Sequence, residues 1–208
     1  MSQTPRRALI VIDVQNEYFT GDLPIEYPDP AVSLANITAA MDAARRHGLA
    51  LVVVQNIGPE TAPVFARGSH GAALHEEVAR RGHDLLVEKK LPSAFTDTGL
   101  LPWLVGRGID TVTLAGYMTH NCDDATAKDA TRYGFGVEFL QDASGSVPYE
   151  NSAGAASAEE IHRVFSIVMQ TRFANVMSTA QWLAGLEGAP LPQRDNIYSS
   201  NQRARQRR

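Results

Sequence analysis

Ala8-Leu9-Ile10-Val11-Ile12-Asp13-Val14 is apolar at every position except Asp13. Such a run reads as a strand buried on both faces, the pattern of a parallel sheet covered by helices. Runs of the same kind recur at residues 50–57, 85–88, 111–115, 137–140 and 173–177, each bounded by Gly, Pro, Asn or Asp. Helical patterns fall between them. Asp29-Pro30 opens one, with apolar residues at Val32, Ala35, Ile37, Ala40, Met41 and Ala44, and Arg45-Arg46-His47-Gly48 closes it. Weaker helices are expected over residues 73–80 and 98–106, and another over 122–133. Ser157 with Glu160 forms a capping box opening residues 158–171, and Ser178 or Thr179 starts a short helix ending near Leu186. This β-α alternation predicts a three-layer α/β domain with a mostly parallel sheet.

The 208 residues suit one domain, with residues 1–6 and 188–208 expected as flexible or oligomer-contacting termini. The arginine-rich stretch 202–208 reads as a solvated tail. A hydrophobic share of 44% and a charged share of 20% are ordinary globular values. The net charge of −4 argues against nucleic acid as a partner. One cysteine excludes an intrachain disulfide and suits a reducing cytoplasm. No apolar run reaches the roughly 20 residues a membrane helix needs, and no small-residue cleavage site follows the first apolar stretch. A cytoplasmic protein acting on a small molecule is expected, as a homo-oligomer, dimer or tetramer.

Several chemistries lose support. No G-x-G-x-x-G follows the first strand, there is no Walker loop, and Gly68-Ser69-His70-Gly71 falls one residue short of a nucleophile elbow. The six histidines show no zinc spacing and read as surface or capping residues, so neither metal nor cofactor is expected.

In an open parallel sheet, ligands bind beyond the carboxyl ends of the strands, above all where the strand order reverses. Asp13, Lys89 and Cys122 each lie at or just beyond such an end. Taken singly, each has a plain structural reading: a turn residue, a solvated lysine and a small buried hydrophobe. Together they bring acid, base and thiol to one edge. A helix N-terminus and a nearby ammonium would both favour a Cys122 thiolate.

Three segments carry a resemblance. Ile10-Val11-Ile12-Asp13-Val14-Gln15-Asn16 with Phe19, then Glu88-Lys89-Lys90-Leu91-Pro92-Ser93-Ala94-Phe95, then Ala115-Gly116-Tyr117-Met118-Thr119-His120-Asn121-Cys122 resemble the isochorismatase-like cysteine hydrolases, in order and spacing. The resemblance implies a Rossmann-like six-stranded parallel sheet with helices on both faces, and an Asp13-Lys89-Cys122 triad. Cys122 would be the nucleophile, Asp13 the base that takes its proton, and Lys89 the cation holding the pair ionised. Backbone N–H groups of Met118 and Cys122 would face an oxyanion, with a cis peptide bond between Tyr117 and Met118. Gln15, Phe19, Phe95 and Tyr117 are the expected substrate contacts, with residues 144–157 as a loop shaping the pocket. The implied reaction is cleavage of a C–N bond in a small amide, carbamoyl or ureido compound through a thioester. The alternatives are vinyl-ether hydrolysis, a Cys122–His120 thiol hydrolase and a catalytically silent binder. Two features depart from the family. Asp123-Asp124 follow the cysteine where many members carry Val, and Gln55-Asn56-Ile57-Gly58-Pro59 stands where nicotinamidases carry an Asp-x-His metal motif.

Overall fold

The computed structural model describes residues 5–207; the flexible-terminus expectation for residues 1–4 and Arg208 lies outside them. The chain runs β1 (Arg7–Ile12), α1 (Glu17–Thr20), α2 (Pro30–Arg46), β2 (Ala50–Asn56), α3 (Glu76–Ala79), β3 (Leu85–Lys89), α4 (Leu100–Gly106) and β4 (Thr111–Tyr117). A π-helical turn, Thr119–Asp123, then leads into α5 (Asp124–Arg132), β5 (Gly136–Gly145), β6 (Tyr149–Asn151) and β7 (Gly154–Ala156). The last elements are α6 (Ala158–Arg172), β8 (Asn175–Met177), α7 (Thr179–Leu186) and α8 (Ile197–Gln206).

Six strands form a wholly parallel sheet in the order β3-β2-β1-β4-β5-β8. From β1 the chain winds outward one way through β2 and β3, then returns to β4 and winds the other way. The reversal therefore falls between β1 and β4, where Ile12 sits beside Gly116. Alternation along β1 divides the core. Leu9 and Val11 enter a cluster with Ile37, Met41 and Trp182, while Ala8, Ile10 and Ile12 join Leu104, Leu114, Phe139 and Met169 on the opposite face. Burial on both faces is what the continuous apolar run called for.

Helix ends follow the signals read in the sequence. Asp29 accepts the Ala31 N–H at the start of α2, and reciprocal capping boxes open α6 at Ser157–Glu160 and α7 at Ser178–Gln181.

Two readings need correction. The helix expected from Cys122 begins two residues later, because residues 119–123 form the π-helical turn; single π turns are frequent at functional sites. Residues 144–157 are not one loop: Ser144 and Gly145 end β5, pairing with Gly116 and Tyr117 across a bulge, and β6–β7 is an antiparallel hairpin. In the C-terminal segment, expected as a flexible or oligomer-contacting terminus, Asp195 N–H bonds the Gln170 carbonyl, Arg194 bonds the Arg172 carbonyl at 2.7 Å, and Arg203 of the exposed α8 pairs with Asp195 just before it.

Candidate active site

Asp13 leaves β1 in a left-handed conformation, φ 51°, with its N–H bonded to the Val54 carbonyl at 3.0 Å. That conformation is uncommon for a residue with a side chain and here points to function. Lys89 ends β3, which lies two strand spacings, about 10 Å, from β1. Only a long side chain crosses that gap. Lys89 Nζ lies 2.7 Å from Asp13 Oδ2 and donates to Cys122 Sγ at 3.1 Å. The ammonium thus bridges carboxylate and thiol at the point where the strand order reverses. All three groups are buried, at 0% for Asp13, 2% for Lys89 and 5% for Cys122. Strand alternation turns Glu88 outward to pair with Arg67, and Lys90 beyond the strand is exposed.

Burial decides the resting charges. It pushes the Asp13 carboxyl up against the pull of Lys89. It works to lower Lys89, but attraction to Asp13 and Cys122 outweighs it and holds the ammonium above its usual range. Burial, then Asp13, push the Cys122 thiol well up, overcoming Lys89. Cys122 therefore rests as a thiol beside the Lys89 ammonium, whereas helix dipole and ammonium were expected to favour a thiolate. Desolvation of a buried sulfur outweighs one cation shared with a carboxylate. Among the described residues Asp13 Oδ1 has no conventional hydrogen-bond partner, which leaves it able to take a proton.

The Tyr117–Met118 peptide bond is cis. Gln15 differs from its expected role, since Nε2 donates to the Asn56 and Ala72 carbonyls and Oε1 accepts the Asn56 N–H. Its amide braces the exit of β1. Tyr117 is fully buried with its hydroxyl 2.7 Å from Ser33 on α2, so its ring belongs to the core rather than to a substrate surface. Phe95 is likewise buried, against Tyr133 and Phe135. Phe19 remains partly exposed, packed on His75 and Tyr117. His120 bonds Ser146 and Tyr149, not Cys122. In the stretch that stands where nicotinamidases bind metal, the Gln55 amide is bonded to Ala72. Among the described residues no three His, Cys, Asp or Glu gather as a metal-holding set.

Sequence reading singled out Asp123 but missed the buried polar group it joins beside the cluster, Ser144, Thr119 and His162. The signal available was His162 among Ala158, Ser166 and Met169, the buried stripe of an otherwise amphipathic helix.

A doubly wound parallel sheet with thiol, carboxylate and ammonium at its switch point defines a class of small α/β proteins with a cysteine-based site. An isochorismatase domain model matches residues 7–181, and the chain belongs to the isochorismatase family of hydrolases. A crystal structure of a Burkholderia xenovorans LB400 protein assigned to the isochorismatases superposes with a TM-score of 0.96 at 64% identity, covering 99% of each chain. An uncharacterised isochorismatase family protein of Bacillus subtilis is 28% identical over 85% of this chain and 98% of its own. The maleamate amidohydrolase of Pseudomonas putida is 32% identical over 69% of this chain and 75% of its own. Among the described residues no helix is long and apolar enough to cross a membrane.

Proposed function

We propose that this chain is a cysteine hydrolase that cleaves the C–N bond of a small amide, carbamoyl or ureido substrate through a Cys122 thioester. The observation that carries the reading is the Lys89 ammonium in contact with both Asp13 and Cys122 Sγ in a buried site. The likeness to an amidohydrolase supports the bond class.

Each residue then has one task. As Sγ attacks the carbonyl carbon, its proton passes to Asp13, whose raised pKa suits it to hold one. Lys89 stays charged throughout and offsets the negative charge that builds on sulfur and oxygen. The Met118 and Cys122 N–H groups meet the carbonyl oxygen. Asp13 then protonates the leaving nitrogen, the C–N bond breaks and a thioester remains. Water, deprotonated by Asp13, hydrolyses the thioester, and the thiol is restored. The same reading has the chain working as a dimer or tetramer, which light scattering would give as a multiple of 22.6 kDa.

Ammonia release from a panel of small amides and ureido acids tests the activity. Cys122→Ala is expected to keep the fold and to lose turnover by several orders of magnitude, with no mass adduct on the chain. Full turnover in that variant would remove the thioester and leave a thiol-independent vinyl-ether type of reaction.

A further inference from the structure

Asp123 is wholly buried one residue past Cys122, and a negative charge there would oppose the thiolate formed during attack. It does not stand alone. Its Oδ2 lies 2.5 Å from Ser144 Oγ, which lies 2.6 Å from Thr119 Oγ1, which lies 2.8 Å from His162 Nδ1. Ser144 and Thr119 are fully buried, and His162 is 6% exposed at a cavity of about 370 Å³ that it shares with Tyr27, Asp142 and Arg163.

Three links need three protons, and the two hydroxyls supply only two. The third must come from an end of the chain. In one arrangement Asp123 O–H donates to Ser144, Ser144 to Thr119 and Thr119 to His162 Nδ1, leaving the ring's own proton on Nε2. In the other, each linking proton moves one place toward His162, giving an Asp123 carboxylate and a doubly protonated ring. The two forms hold the same protons and the same links. Removing one proton leaves a link broken or forces the ring proton onto Nδ1.

We propose that Asp123, Ser144, Thr119 and His162 form a one-proton relay that keeps the Asp123 carboxyl uncharged beside Cys122, with His162 as its remote positioning residue.

The surroundings place the proton at the Asp123 end. Burial pushes Asp123 up to about 7, with Asp13 and Asp124 adding to the rise and Ser144 and Lys89 opposing it. Tyr18 also faces Asp123 and is itself kept neutral by burial. Burial lowers His162 to about 4, and the rings of His120 and Tyr27 face it. Thr119 has a second acceptor, the Gly145 carbonyl at 3.2 Å, but the ring nitrogen is closer. The relay's effect on turnover rests on the cysteine hydrolase reading; its proton pattern does not.

The test is NMR of the full chain labelled with ¹⁵N-histidine, with ring signals assigned through couplings to the backbone. Below neutrality His162 should be neutral with its proton on Nε2. Above neutrality its Nδ1 signal should move as the chain loses its shared proton. Asp123→Asn, whose amide N–H donates permanently to Ser144, should hold the Nε2 form across the range. A proton on Nδ1 alone below neutrality, an unmoving wild-type ring, or a variant that moves like the wild type overturns the relay. Cys122 is the only thiol, so its iodoacetamide rate reports the thiolate. Asp123→Asn should leave that rate unchanged below neutrality and raise it several-fold above; equal rates throughout overturn the charge role. Neither readout needs a substrate, so failure of the relay is distinguishable from failure of the proposed reaction.

Discussion

Lys89 and Lys90 are neighbours with opposite fates. Lys89 reaches both Asp13 and Cys122, two groups buried from water, while Lys90 faces water. Truncating Lys89 to Ala leaves the Asp13 carboxyl buried without a counter-charge, which costs about 3–5 kcal/mol and is expected to abolish turnover. Lys90→Ala should stay within about 0.5 kcal/mol of wild type with activity retained. Urea unfolding alongside turnover checks both, and a working Lys89→Ala beside a dead Lys90→Ala would reverse the assignment. The raised Asp13 pKa also fixes the sign of a pH effect. Asp13 must be ionised to accept the thiol proton, so kcat/KM should fall as pH drops through a midpoint above the ordinary carboxylate value of 3.8. A midpoint at or below 3.8, or an Asp13→Asn variant that keeps turnover with the wild-type midpoint, would assign the base elsewhere.

The element that assembles the site is the end of β4 and the turn after it. Gly116 has φ 118°, and a Cβ there would lie 2.0 Å from the Ile12 carbonyl oxygen. The close approach is what brings the exits of β1 and β4 together. Gly116→Ala must separate the strands or shift the turn, so a stability loss of at least about 1–3 kcal/mol is expected from the backbone conformation alone. Slowed Cys122 alkylation or turnover would accompany it, because Cys122 and Asp13 no longer share Lys89. A thermal melt and activity equal to wild type would show that the approach is not required. The π-helical turn belongs to the same element: it sets Thr119, Cys122 and Asp123 on its inner side, where all three are buried.

Across the whole molecule, acid sensitivity should come from rings buried neutral. Burial lowers both His120 and His162 from 6.5 to about 4. Between those values the unfolded chain takes up protons that the folded chain refuses, so stability rises with pH through that window and is lost as pH falls through it. Asp123, raised to about 7, holds a proton in the folded chain across the same window and opposes this slope, so the histidine share is read as a difference: the urea midpoint of His120→Gln should fall less on acidification than that of wild type. An identical pH dependence in wild type and His120→Gln would mean that this ring titrates freely in the folded state.

Continuous apolar runs specified the layers and the parallel sheet, because a strand with no polar face can rest only between two helical layers. Short-range chemistry likewise set the caps at Asp29, Ser157 and Ser178, whose partners lie two or three residues away. Asp13, Lys89 and Cys122 could be named because each follows an apolar strand and the ordered motifs resemble a known family. Their resting charges could not, since burial is a property of the packed molecule and reverses what ammonium and helix dipole would do in water. Gln15 and Tyr117 look like pocket residues in the sequence, yet their partners, Asn56, Ala72 and Ser33, come from other elements. Thr119, Ser144 and His162 lie on three different elements and meet only when β5 and α6 pack against the turn carrying Cys122. Local pattern determines which strands and helices form; the tertiary fold alone decides which polar groups lose water together, and so which protons they keep.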